Sequence, residues 1–240
     1  MTRESGFTMI QMAIVLVIVG LIIGGLLSAR TLIRNTELDS INMDATQYRA
    51  AINLFRQKYG EYPGDFTEAE NYWGAATTNN GDGSGTVNTS AEYFLLWQHL
   101  SLANMIKGSY TGLAGSGGAD DVDIGTNSPT SKVGGARNGF CFYNPGVQTG
   151  ASLWFADEYS HTIIFGAEAN SNELCGRPGI TSAEARVIDQ KYDDGLPATG
   201  AINAFDSSFN SGCATSDNPD WANYATGTQN ACGLNFRGGM

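Results

Sequence analysis

From Phe7 to Ala29 the chain runs for 23 residues without a charge or a proline, and Thr8, Gln11 and Ser28 are its polar side chains. A helix of that length crosses about 30 Å of hydrocarbon, so the stretch reads as a membrane segment. A cleaved secretory signal would need a basic flank, a short apolar region and a small-residue site after it. Here only MTRESG precedes the run, no Ala-x-Ala follows it, and the pattern continues as helix. Two readings remain: an uncleaved anchor, or a leader removed ahead of the apolar segment.

Beyond the run the pattern turns amphipathic. Leu38, Ile41, Ala45, Tyr48, Ile52, Phe55 and Tyr59 recur at spacings of three and four, with Glu37, Asp39, Asp44, Arg49, Arg56 and Lys58 off the stripe. Gly60 is the first stop signal and Pro63 the first proline. Phe7 to Tyr59 is therefore expected as one helix of about 80 Å, its second half burying the stripe against a globular domain. In the first half Gly20, Gly24 and Ser28 repeat every fourth residue, a spacing that lets helices approach closely. Gly24-Gly25 is the weakest point for helix propensity.

Gly6-Phe7-Thr8-Met9-Ile10, followed by an unbroken aliphatic run at the extreme N-terminus, resembles the class III signal of type IV prepilins and type II secretion pseudopilins. Tyr59-Gly60-x-Tyr62-Pro63 and the string from Ile188 to Pro197 are similar to segments of prepilin-like proteins. The resemblance implies cleavage between Gly6 and Phe7 by a prepilin peptidase, N-methylation of Phe7, and packing of the helix into a filament of like subunits. It also implies an α+β fold, a long N-terminal helix on a small antiparallel sheet head as in type IV pilins. The chain then divides into a leader (1–6), a transmembrane and amphipathic helix (7–60) and an exported head (61–240). The precursor would sit in an inner membrane before joining an extracellular filament or a periplasmic pseudopilus. Gln11 stands where the family usually carries Glu, whose carboxylate is thought to neutralise a neighbouring subunit's terminal ammonium in an apolar core. Gln accepts a hydrogen bond from such an ammonium but leaves its charge uncancelled, which points away from the most ordinary major subunit. A minor pilin and a secretion pseudopilin are the alternatives.

The net charge of −11, with 13 Lys plus Arg, leaves no footprint for nucleic acid. Cys141, Cys175, Cys213 and Cys232 all follow the membrane segment and contain no Cys-x-x-Cys pair, so they read as two disulfides of an exported domain. Three connectivities are possible; sequential pairing, Cys141 with Cys175 and Cys213 with Cys232, closes the shorter loops. Arg30 and Arg34 follow the span while Arg3 alone precedes it, so charge counting by itself would orient the chain the other way. The cysteines and the resemblance place the head outside.

In the remainder, about 180 residues suit one globular domain. Thr67-Glu68-Ala69-Glu70 is a capping-box pattern expected to open a short helix, Thr89 to Glu92 opens a second helix running to Ile106, and Thr181 to Glu184 opens a third through Tyr192. Thr77 to Thr86 is a polar, glycine-rich loop in which Asn80, Asp82 and Ser84 alternate as oxygen ligands do at the start of a calcium loop. The acid expected eleven residues on is missing, Ala91 standing there, so a plain turn competes with weak calcium binding, and no other cofactor is expected. Tyr110 to Gly139 reads as a surface loop, and Phe140–Tyr143, Ser152–Ala156, Thr162–Gly166 and Ala201–Phe205 read as strands, ahead of an Asn- and Ser-rich tail.

No catalytic motif appears: no Gly-x-Ser-x-Gly elbow, phosphate loop or dinucleotide fingerprint. His99, in the apolar second helix, reads as a satisfied core residue, and His161 as a surface residue at a strand start. An enzyme is not expected. The reading from another class is a monomeric, membrane-anchored exported binding protein whose loops at 77–86 and 110–139 hold a ligand.

Overall fold

A computed structural model of the chain describes residues 8–135, 137–148, 155, 157–169, 173–205, 210–227 and 229–238. Its helices are α1 (Met9–Tyr59), α2 (Ala69–Trp73), α3 (Ser90–Leu102) and α4 (Ser182–Tyr192). The strands are β1 (Asn138–Tyr143), β2 (Val147–Gln148), β3 (Asp157–Glu158), β4 (Thr162–Ala167), β5 (Ile180–Thr181), β6 (Ile202–Ala204), β7 (Asn230–Cys232) and β8 (Leu234–Arg237). The fold is α+β, a long N-terminal helix with a small antiparallel sheet. Two compact units divide it, one ending at Asp39 and one beginning at Ser40, so α1 contributes to both.

The first unit is the apolar half of α1. Every described side chain from Met9 to Ile33 is exposed, Met9 at 93% and Leu21 at 72%.

In the second unit the stripe is buried at Ile41, Ala45, Ile52 and Phe55. Tyr48 meets Trp97 of α3 and Phe140 of β1 edge-on, with ring centroids 5.1 and 5.2 Å apart, and so packs the helix against the sheet. Gly60 stops α1 in the left-handed region (φ 86°), its N–H donating to the Arg56 carbonyl, with Arg56 and Lys58 favourably placed in the last turn.

The main sheet has the order β1-β4-β8-β6, antiparallel throughout. Opposed pairs Phe140–Phe165, Ile163–Phe236, Phe165–Leu234 and Ile202–Phe236 put one apolar face on the side of Tyr48. The other face carries Cys141 and Ile164, which pack with Phe94, Val122, Ile124, Tyr159, Cys175 and Phe205 into a second core cluster. Loops take up both sheet edges: Phe140 N–H donates to the Pro129 carbonyl, and Ala204 N–H to that of Pro197.

Several expectations are corrected. Thr67 does not cap α2: its hydroxyl and N–H both donate to Glu61, the Glu70 N–H donates to Asn80, and the helix begins at Ala69. The capping boxes at Thr89 and Thr181 both form. Helix α3 ends at Leu102, short of Ile106, because Asn104 adopts φ 56° and Met105 N–H turns back to the Leu100 carbonyl. The 110–139 segment is not merely surface, since Val122, Ile124 and Val133 are buried. The tail supplies β8, which lies between β4 and β6. The strand expected at Ser152–Ala156 falls, Phe155 apart, outside the described residues, and Phe155 is buried without strand geometry.

Candidate functional site

Helix α1 is long and apolar enough to cross a membrane. Gly6 and Phe7 lie outside the described residues. Thr8 and Gln11 cap each other: Thr8 N–H donates to Gln11 Oε1 at 2.9 Å and Gln11 N–H to Thr8 Oγ1 at 3.3 Å. A side chain built at Gly20 or Gly24 would meet nothing within 4 Å, so the backbone is open at both positions. Ser28 Oγ donates to the Gly24 carbonyl at 3.3 Å, which satisfies the hydroxyl without a partner helix.

In the second unit two carboxylate clusters stand out. Oxygens of Asp65, Asp82 and Glu92 lie within 4.8 Å of one another. Asp65 and Glu92 are buried and Asp82 is exposed. Backbone donors surround them: Ser84 and Gly85 N–H groups donate to the two Asp65 oxygens at 2.9 and 2.8 Å, and Asn88 and Thr89 N–H groups donate to Glu92 Oε2. Burial pushes the Asp65 carboxyl up, opposed by the Gly85 and Ser84 N–H groups and reinforced by Asp82 and Glu92. The Ser84 N–H, chiefly, pulls Asp82 down. Of the calcium candidates Asp82 joins this cluster, Ser84 borders it through its N–H, and Asn80 instead caps the Glu70 N–H at 2.9 Å. Asp65, which sequence reading passed over, is the centre; it lies fifteen residues before Asn80, outside any calcium-loop spacing. Three carboxylates so placed have the donor chemistry for a hard divalent cation. The loop is pressed onto the Gly64-Asp65 backbone: a Cβ on Gly81 would meet the Asp65 carbonyl carbon at 2.2 Å and the Gly64 oxygen at 2.3 Å.

The second cluster, Asp189, Asp193 and Asp194, closes α4. Asp189 is fully buried; it accepts from Tyr224 Oη at 2.8 Å and from Gly195 N–H at 3.0 Å. Asp193 Oδ2 accepts the Ala201 and Ile202 N–H groups at 2.5 and 2.8 Å, and Asp194 accepts the Leu196 N–H and the Thr199 hydroxyl. Burial pushes Asp189 up to about 7, offset by the Tyr224 and Gly195 hydrogen bonds and aided by the charges of Asp194 and Asp193. Each carboxylate is committed to a turn, so the string from Ile188 to Pro197 clamps α4, β6 and the Tyr224 hairpin together.

His99 is fully buried, with Gly64 N–H donating to Nδ1 at 3.0 Å and Nε2 set 3.1 Å from Thr78 Oγ1. Burial lowers its pKa to about 4. His161 is buried as well, not at the surface, because Val87 N–H donates to its Nε2 at 3.1 Å and its ring packs on Tyr62 and Phe142. Burial, then the Arg56 charge, lowers it to about 4. The cysteines pair in sequence order, Cys141 with Cys175 and Cys213 with Cys232. Disulfides of this kind suit an exported protein, and the apolar helix suits a membrane anchor or signal.

No known family model, curated protein or solved structure matches the chain. What the site can do therefore rests on its own geometry.

Proposed function

We propose that the chain is a prepilin-like subunit of a type IV pilus-like filament, anchored in the inner membrane by α1 until it is processed and assembled. The observation that carries this reading is the composition of one unbroken helix. From Met9 to Ile33 its described side chains are all exposed and overwhelmingly apolar, while from Ile41 onward a stripe is buried in the head. A water-exposed apolar surface of that extent needs another medium, lipid first and other helices afterwards. The open backbone at Gly20 and Gly24 supports close approach of further copies through small-residue contacts. The self-contained Thr8–Gln11 cap suits a helix start that lies in apolar surroundings, because the first polar groups are satisfied within the chain.

In this reading a prepilin peptidase cuts between Gly6 and Phe7, and the Phe7 amine is methylated. The head then forms the filament surface, as an extracellular fibre or a periplasmic pseudopilus. A structural role, not a catalytic one, fits two buried histidines, His99 engaged through both ring nitrogens and His161 through Nε2, and carboxylates committed to backbone donors.

The test is mass spectrometry of the N-terminal peptide from the native protein. A chain beginning at N-methylated Phe7 is expected. An intact Met1 would overturn the proposal and favour a monomeric, anchored binding protein in its place.

A further inference from the structure

The hairpin inside the Cys213–Cys232 loop presents a tryptophan that the fold itself does not use. Trp221 is 73% exposed, although its neighbours Ala222 and Tyr224 are buried. Keeping so large an apolar ring in water is unfavourable, and tryptophan is among the side chains most enriched where proteins bind one another. The loop holding it is ordered by its own bonds. Ala214 bridges Tyr224, Thr215 N–H donates to the Asn223 carbonyl at 2.8 Å, and Ala225 N–H to the Cys213 carbonyl at 2.8 Å. At the tip Asp220 N–H donates to Asn218 Oδ1 at 2.9 Å and Trp221 N–H to the Asn218 carbonyl at 3.2 Å. Tyr224 is fastened to the buried Asp189. The backbone that presents the ring loses little freedom when the ring is bound.

The chemistry around the ring says what covers it. Elsewhere the chain places a cation on its own aromatic rings: Arg56 over Tyr62 at 3.9 Å, Lys58 over Tyr59 at 4.9 Å, Arg237 over Tyr159 at 4.4 Å and Lys191 over Tyr192 at 5.3 Å. Among the described residues no cation and no ring packs on Trp221. Indole is the best cation–π acceptor of the side chains, and the turn that carries it also carries exposed Asp220 beside it in the chain. From residue 213 to 227 there is no Lys, Arg or His.

We propose that the Trp221 turn is a docking surface for a basic segment of a partner protein, a Lys or Arg side chain lying on the indole with its charge facing Asp220. The proposal does not depend on the filament reading.

The test is calorimetric titration of the full chain, held in non-ionic detergent, with a tetra-arginine peptide and with the uncharged tetra-citrulline peptide, at a salt concentration of about 0.15 M so that long-range attraction to an acidic protein is screened. Saturable binding of the arginine peptide alone is expected, weakened about tenfold by Trp221→Ala and retained in part by Trp221→Phe. Asp220→Asn, whose side chain is exposed, should weaken it a few-fold and serves as the second variant should Trp221→Ala disturb the fold. Arginine binding that is unchanged in both variants would reveal attraction to the acidic surface only and overturn the proposal. So would the absence of binding, or a Trp221-dependent heat with a neutral oligosaccharide and none with the arginine peptide.

Discussion

Replacing Asp189 with asparagine isolates a fully buried carboxyl whose ionisation opposes the fold. Its folded pKa is about 7, against 3.8 for the free group, because burial penalises the anion more than Tyr224 and Gly195 stabilise it. Between those two values the folded chain holds a proton that the unfolded chain has released, so the contribution of Asp189 to stability falls as pH rises. Three pH units at 1.36 kcal/mol each amount to about 4 kcal/mol, present in full below about pH 4 and lost by about pH 7. The two histidines act in the opposite sense. Each is lowered to about 4 from 6.5, so their contribution is present above the unfolded value and lost as pH falls towards about 4. Those terms are common to wild type and Asp189→Asn, and the difference between the two proteins cancels them. Asparagine keeps an acceptor for the Gly195 N–H and never ionises. Urea unfolding of the full chain in non-ionic detergent, disulfides intact, should show the variant gaining about 3 kcal/mol on wild type between about pH 4.5 and about pH 7.5. A difference that stays constant within about 0.5 kcal/mol over that interval would refute the argument that burial governs this carboxyl.

Two further expectations concern the head. Gly81→Ala should lower stability by about 2 kcal/mol or more, read by thermal unfolding, because the added methyl meets backbone carbonyl atoms of Gly64 and Asp65 that have nowhere to move; an unchanged melting temperature would refute the close approach. Removing the Cys213–Cys232 bridge, which closes a loop of sequence separation 19, by a double Cys→Ala change should cost about 3 kcal/mol in urea unfolding; a loss below about 1 kcal/mol would show the tail held by β7 and β8 alone.

Elements whose physical signal is local are legible in the sequence. The apolar run, the stripe after it and the Gly60 stop specify α1 by composition and spacing, and α1 runs unbroken from Met9 to Tyr59. The boxes at Thr89 and Thr181 have both partners within four residues of each other, and both formed. Thr67 presents the same local pattern and failed, since Glu61 and Asn80 took its hydroxyl and the Glu70 N–H from outside the window. His161 was misplaced for a similar reason: a short polar stretch reads as surface until Tyr62, Val87 and Phe142 close over it.

Composition and short-range pattern alone thus determined that this chain has an apolar helix fit for a membrane, an acidic α+β head and a pair of disulfides. Tertiary structure decided which four residues of the Asn-rich tail became strand β8 inside the sheet, because Leu234-Asn-Phe-Arg is too short to carry a period and takes its register from Thr162–Phe165 and Ile202–Ala204. It also decided which carboxylates meet. Asp65, Asp82 and Glu92 are spread over 27 positions, as are Asp189 and Tyr224 over 35. Their hydrogen bonds and perturbed charges exist only once loop, helix and hairpin have been brought into contact, and nothing in the spacing of the sequence encodes that distance.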